Sequence, residues 1–230
     1  MSNEMVTHHH ELIIQRNYWN REVNDFHSIY SHQKSKFAQY LDRVFRKDMY
    51  ERFVFTMENA EPISGRRFLD VGCGSGVYSL DFIRRGAAAV TGLDIAENML
   101  AICRQSASRE GVASRCQFIH SDLLEYESES KFDVSIGIGL FDYISDPLPV
   151  LIKMRQLTTD RAILSFPRRW TWRAPIRKAR LAMRDCPVFF YTKSTIGGLL
   201  KAAGFVDFKI SRVGKLHCVV AYSDRKPGGK

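Results

Sequence analysis

The spacing of apolar residues along the chain changes once, near residue 62. Before that point aromatic and aliphatic residues are scattered among charges, with no Gly or Pro from Glu11 to Ala60. The pattern predicts helices over Glu11–Tyr30 and Ser35–Ala60. Glu61-Pro62-Ile63-Ser64-Gly65 then interrupts it. Beyond the break, short apolar runs alternate with amphipathic stretches. Strands are predicted at Arg67–Val71, Ala88–Leu93, Cys116–His120, Phe132–Gly139 and Arg161–Phe166, and again at Val206–Arg212 and His217–Tyr222. Helices are predicted at Val77–Gly86, Ala96–Glu110, Asp146–Leu157 and Ser194–Ala203, with Gly86, Gly111 and Gly204 near their ends. Strands and helices in alternation imply an α/β fold, a doubly wound, mostly parallel seven-stranded sheet. The last two strands are separated only by Val213–Lys215, so they should form an antiparallel C-terminal hairpin. The organisation expected is a helical segment at 1–61, a core at 62–223 with an insertion at 168–190, and a disordered tail at 224–230.

Composition narrows the class. The chain has 230 residues, enough for one full core; 45% are hydrophobic and 26% charged, the balance of a soluble globular protein. No apolar run is long enough to span a bilayer. The polar start of the chain lacks the order of a signal peptide. The five cysteines form no CxxC pair, so a reducing, cytoplasmic setting is expected and a metal site is not. His8, His9 and His10 read as a solvated cluster rather than as ligands. A formal charge of +9 points to an anionic partner: nucleic acid, a membrane surface or an acidic substrate.

The chemistry-bearing segment is Phe68-Leu69-Asp70-Val71-Gly72-Cys73-Gly74-Ser75-Gly76. It leaves an apolar strand and enters a helix, at the sheet edge where open parallel sheets bind ligands. Its third glycine comes one residue earlier than in a dinucleotide loop, and Asp70 precedes the first. That carboxylate would repel a pyrophosphate but attract an ammonium group. Asp94 ends the second strand, placed to accept both hydroxyls of a ribose, and Asp122 follows the third, where a carboxylate can accept from an adenine amine. Singly, Asp94 or Asp122 could be a helix cap. Together the three acids mark consecutive strand ends.

These residues carry a family resemblance. Leu69–Gly76, Gly92-Leu93-Asp94-Ile95-Ala96-Glu97-Asn98-Met99-Leu100 and Phe132-Asp133-Val134-Ser135 resemble the motifs of class I methyltransferases. The resemblance implies a Rossmann-like fold and S-adenosyl-L-methionine as cofactor. It implies that Asp70 lies near the methionine amino group and that Gly72, Cys73 and Gly74 line the methionine and ribose. Asp94 would hold the ribose hydroxyls, and Ile95 and Met99 would flank the adenine. Asp122 would meet the adenine amine, Leu123 would lie against the ring, and Gly139 would face the sulfonium. Cys73 reads as packing, since no basic neighbour lowers its pKa. Tyr18-Trp19-Asn20 and Phe26-His27-Ser28-Ile29-Tyr30 resemble the leading helices of small-molecule methyltransferases of the magnesium-protoporphyrin type. That implies an N-terminal lid from which Tyr18 and Tyr30 reach the cofactor carboxylate; the alternative is that these aromatics are core.

For the transfer itself the candidates are Asp142, as a base, and Tyr143, orienting the acceptor. Quinone-type relatives carry a Glu-His pair at the matching stretch, and a cap-and-packing role for the two residues stays open. His120 and His217 are alternatives. Residues 168–184 contain seven Arg or Lys and no acid. On a helix Arg177, Arg180 and Arg184 share one stripe. This insertion could clamp an anionic small molecule, lie on an acidic membrane as a peripheral contact, touch RNA phosphates, or be an ordinary solvated face. A cap over a small-molecule acceptor, with Tyr191 in an apolar wall, is the reading adopted; an RNA methyltransferase comes second and a non-catalytic cofactor-binding protein third.

Overall fold

The computed structural model describes residues 12, 13, 15, 16, 36–169 and 188–224, with side chains at 12, 13, 15, 16, 47–169 and 188–224. Tyr18, Tyr30, Arg177, Arg180, Arg184, the histidine cluster, most of the expected lid and insertion, and the tail past Asp224 lie outside the described residues.

The elements follow in the order α1 (Lys36–Ala60), β1 (Arg67–Val71), α2 (Val77–Arg84), β2 (Ala89–Asp94), α3 (Glu97–Arg109), β3 (Cys116–His120), β4 (Phe132–Gly137), α4 (Leu148–Leu157), β5 (Thr158–Pro167), α5 (Lys193–Ala202), β6 (Asp207–Val213) and β7 (Leu216–Tyr222). They build a seven-stranded sheet in the order β3-β2-β1-β4-β5-β7-β6. β1 to β5 are parallel. β7 returns between β5 and β6 and is antiparallel to both. The doubly wound sheet and its antiparallel C-terminal hairpin are thus as the sequence pattern predicts.

Alternation along the strands divides the core between two faces. Phe68 of β1 and Phe82 of α2 stack on one face, ring centroids 4.1 Å apart, with Met57 and Ala60 of α1 in the same cluster. Leu69, Val71 and Leu93 point to the other face, where Leu151 of α4 and Ile196 of α5 cover them. Each fully buried side chain of this size stabilises the fold by roughly 1.5–3 kcal/mol. Asp70 falls on the α2 face, which is why it is buried beneath that helix.

Most boundaries shift by a residue or two, and three of the shifts have a visible reason. β5 starts at Thr158, directly after α4, although Thr158-Thr159-Asp160 looks like a polar connection. The Thr158 hydroxyl donates to the Met154 carbonyl (2.6 Å) and pairs with the Ser135 hydroxyl (2.8 Å), so polar residues are accommodated inside. β4 stops at Gly137, because Gly139 turns the chain with φ +79° and donates its N–H to Ser165 Oγ at 2.8 Å. α4 starts at Leu148, and Asp146 sits before it with Oδ1 accepting from the Leu148 N–H (3.2 Å).

Candidate functional site

The carboxyl ends of β1, β2 and β4 open on one cavity of about 630 Å³. Its floor is the glycine loop. Gly72 takes φ +69°, and a Cβ there would stand 3.1 Å from Leu140 Cδ1, so the position requires glycine on both counts. The Gly72 and Cys73 N–H groups both donate to the Leu93 carbonyl, at 2.8 and 3.0 Å, fastening the loop to β2.

Asp94 ties that loop to the next one. Its Oδ2 accepts from the Gly74 N–H (2.8 Å) and its Oδ1 from the Ala96 N–H (2.9 Å). Burial pushes its pKa up, and the backbone N–H groups of Ala96, Gly74 and Ile95 oppose that rise. Asp70 is more extreme. It is 2% exposed, and Ser79 Oγ donates to its Oδ2 at 2.6 Å. Burial pushes its pKa up to about 7; the Ser79 hydrogen bond works against that and the charge of Asp94 adds to it. A cation entering the cavity would favour the ionised forms of both acids.

Asp70, Gly72, Cys73, Gly74, Asp94, Ile95, Met99, Asp122, Leu123, Gly139, Asp142 and Tyr143 all line this cavity. Asp142 is 6% exposed, and the Phe189 N–H donates to its carbonyl at 2.9 Å. The Tyr143 carbonyl accepts from Gln15 Nε2 at 2.7 Å. Cys73 is buried, and the Cys103 thiol beside it donates to the Gly74 carbonyl at 3.0 Å. The hydrogen bond with Cys103 and then burial hold the Cys73 thiol well above its ordinary range, which suits a packing residue and not a nucleophile. Tyr191 does not line the cavity. Its hydroxyl donates to the Ile144 carbonyl (3.1 Å), and its ring meets Phe166 edge-on. His120 Nε2 is engaged with the Ile95 carbonyl at 3.0 Å, and His217 lies on β7 away from the cavity. Among the described residues no group of three or more His, Cys, Asp or Glu is placed to hold a metal, and no helix is long and apolar enough to cross a membrane.

The sequence reading missed Gln15 and Arg52, brought in by the N-terminal region, and Tyr78 of α2; all three also line the cavity. Burial raises the Tyr78 hydroxyl pKa, and the Arg52 guanidinium beside it works in the opposite direction. Arg52 Nε is buried and has no hydrogen-bond partner. A Cβ added at Gly139 would meet the Arg52 guanidinium at 3.3 Å, so Gly139 is what lets Arg52 approach the end of β4. A buried, unpartnered N–H aimed along a cavity wall fits a ligand that brings an oxyanion.

Residues 68–160 match the family described as methyltransferase domain. That stretch of the chain is similar to a methyltransferase domain. Outside those residues the likeness is to whole structures. Magnesium protoporphyrin IX methyltransferase from Synechocystis PCC 6803, solved with bound SAH, superposes with a TM-score of 0.71 at 20% identity, covering 92% of this chain and 99% of that one. The cyclase SpnF superposes with a TM-score of 0.60 at 17% identity, covering 74% and 80%. At these identities the likeness establishes the fold. Among curated proteins, ubiquinone biosynthesis O-methyltransferase of Bordetella parapertussis is 32% identical over 121 residues, 53% of this chain and 47% of that protein. The enzyme of the same name from Neisseria meningitidis serogroup C is 38% identical over 107 residues, 45% and 44%. The chain therefore spans less than half the length of these relatives. The matched stretch, residues 68–160, contains the glycine loop, Asp94, Asp122 and Asp142, the same residues that meet in the cavity.

Proposed function

We propose that the chain is an S-adenosylmethionine-dependent methyltransferase that methylates a small molecule at oxygen or nitrogen, with oxygen preferred. The observation that carries this reading is the meeting of Asp70, Asp94, Asp122 and Arg52 in one cavity at the carboxyl end of the sheet. The donor set fits the cofactor group by group. Asp94, already oriented by two backbone N–H groups, has lone pairs left for ribose hydroxyls. Ile95, Met99 and Leu123 offer apolar walls to the adenine, and Asp122 an acceptor for its amine. Asp70 favours the ammonium, and the unpartnered Nε of Arg52 suits the carboxylate. The preference for oxygen follows the relatives, whose names specify O-methyltransferase.

When bound, the cofactor supplies a methyl group already activated by its sulfonium. The protein's task is then alignment, which can account for roughly 7–11 kcal/mol of a barrier. Tyr143, its carbonyl held by Gln15, orients the acceptor. Asp142 accepts the proton that an acceptor hydroxyl must lose. The cavity volume suits a small molecule beside the cofactor better than a polymer. Four described cysteines are free thiols, which fits a cytoplasmic setting. Residues 168–184 remain the place where a capping, anion-clamping or membrane-touching role would be sought, with Arg177, Arg180 and Arg184 as the residues to change.

The test is a transfer assay with methyl-labelled S-adenosylmethionine against a panel of phenols, catechols and aryl acids. Label should enter an extractable product with one demethylated cofactor formed per methyl. Asp142→Asn should lower kcat by about 10²–10⁴-fold while cofactor binding persists. Cofactor binding with no label transferred to any hydroxyl or amine acceptor would overturn the reading.

A further inference from the structure

Next to the cavity lies a second, smaller pocket of about 190 Å³, lined by Arg168, Arg169, Tyr191, Thr192, Lys193 and His217. Among the described residues no acidic side chain lines it, and every charged group that does is basic. The arrangement is fixed by the sheet. β5 and β7 pair so that Phe166 faces His217 and Pro167 faces Leu216. The Arg168 N–H then donates to the Lys215 carbonyl (3.2 Å), and Arg168 bridges to Tyr191, whose N–H donates to the Pro167 carbonyl at 2.8 Å. Two residues on, Thr192 caps α5, its Oγ1 accepting from the Thr195 N–H at 3.1 Å, so Lys193 enters the pocket from the first turn of that helix. A helix start adds the positive end of its dipole to the cationic side chains.

Like charges gathered this closely repel unless something neutralises them. Arg168 spends one N–H on the Gly214 carbonyl (3.2 Å), which is not an anion. The independent sign of a missing ligand is His217. It is 7% exposed, it lines the pocket, and its Nδ1 is buried with no hydrogen-bond partner. A buried imidazole nitrogen is rarely left so. Burial, and after it the charges of Arg168, Lys193 and Arg212, lower the His217 pKa.

We infer that this pocket is a binding site for one phosphate-sized oxyanion, a phosphate monoester or carboxylate group, held by Arg168, Lys193 and the His217 ring with Arg169 at the rim. The volume is below the usual range for a whole small-molecule ligand and suits a single charged group. The anion has two sources. It is either a free ion or the anionic end of the acceptor, since Tyr191 lines this pocket while its hydroxyl holds Ile144 in the wall of the larger cavity. Only the second source rests on the methyltransferase reading.

The experiment is a titration of the full chain, labelled with ¹⁵N-histidine, with inorganic phosphate at constant ionic strength set by sodium chloride. The His217 signal is assigned by its loss in His217→Asn. Phosphate should move it saturably, and Arg168→Gln with Lys193→Gln should weaken the apparent affinity at least tenfold. Titration of the same double variant with S-adenosylmethionine checks that the fold and the larger cavity are intact. Should the double variant fail to fold, the exposed Lys193→Gln change alone should weaken phosphate binding severalfold. A linear response equal to that of chloride, or saturation unchanged in the folded variants, would overturn the site. Phenyl phosphate, titrated into uniformly ¹⁵N-labelled chain, separates the sources: tighter binding together with shifts at the Tyr143 and Ile144 amides identifies the acceptor's end, and a response matching inorganic phosphate identifies a free anion. Phosphate binding without S-adenosylmethionine binding would sink the methyltransferase reading and leave this one standing.

Discussion

The two pockets that Tyr191 connects have opposite chemistry. The larger one gathers Asp70, Asp94, Asp122 and Asp142 at successive strand ends, with Arg52 the one guanidinium among its described lining residues. The smaller one gathers Arg168, Arg169, Lys193 and His217. They also differ in how charge is supported. Asp94 and Asp70 each hold fixed N–H or O–H donors, so the acidic cavity is preorganised before any ligand arrives. In the basic pocket the buried His217 Nδ1 has no hydrogen-bond partner, and Arg168 and Lys193 stand beside it. A preorganised acidic site selects a cation-bearing ligand, which on the proposed function is a sulfonium with an ammonium group. A site whose described lining is basic favours an anion.

The contrast can be broken first at Arg52, the group in the acidic cavity that should favour a carboxylate. Arg52→Ala should weaken S-adenosylmethionine binding by about 10- to 100-fold, corresponding to roughly 1.5–3 kcal/mol for a charge-assisted hydrogen bond. Calorimetric titration reads the change, and an unaltered affinity would remove Arg52 from the site. Next comes the loop that supports the acids. Gly72→Ala places a side chain at φ +69° and 3.1 Å from Leu140, and should cost about 1–3 kcal/mol in denaturant unfolding. Stability equal to the parent would mean that the loop relaxes without cost.

A smaller effect tests the state of Asp70. Its folded pKa of about 7 lies above the unfolded value, so the native state binds the extra proton. The stabilisation is full below about pH 4 and is lost as pH rises through 7. Between pH 6 and 8 the ligand-free chain should lose about 1 kcal/mol from this group, and Asp70→Asn should flatten that slope. The thermal shift produced by S-adenosylmethionine should grow over the same interval, because the ammonium favours the carboxylate. A parent slope equal to that of Asp70→Asn would contradict the assignment. The smallest effect sharpens the comparison from the other side. Arg168→Gln with Lys193→Gln should leave S-adenosylmethionine affinity within about a factor of two, since neither residue lines the larger cavity. A tenfold loss would show that the two pockets are one site.

Why was the acidic cavity legible in the sequence and the basic pocket not? Asp70, Gly72 and Gly74 are contiguous, and Asp94 follows Gly74 by a fixed strand–helix–strand length, so spacing alone places them at one sheet edge. The succession of strands and helices also followed from alternation, because each strand is a short apolar run, whereas the placing of β7 between β5 and β6 did not. Arg52 left no such signal. It lies on α1, a helix of evenly mixed charge, and reaches the cavity only through the packing of that helix on the sheet. His217 and Arg168 are 49 positions apart and meet only because β7 folds back beside β5. Tyr191 reads as an apolar wall in sequence, whereas its hydroxyl is committed to the Ile144 carbonyl. The extra residues of β5 were hidden because Thr158 satisfies its hydroxyl inside the core.

The central claim is that the acidic cavity binds S-adenosylmethionine through Asp94. Calorimetric titration of the chain and of Asp94→Ala with that cofactor tests it most directly. The account predicts saturable one-site binding by the parent, weakened by about 10- to 100-fold in the variant. Equal binding by the two proteins, or no binding by a folded parent, would contradict it.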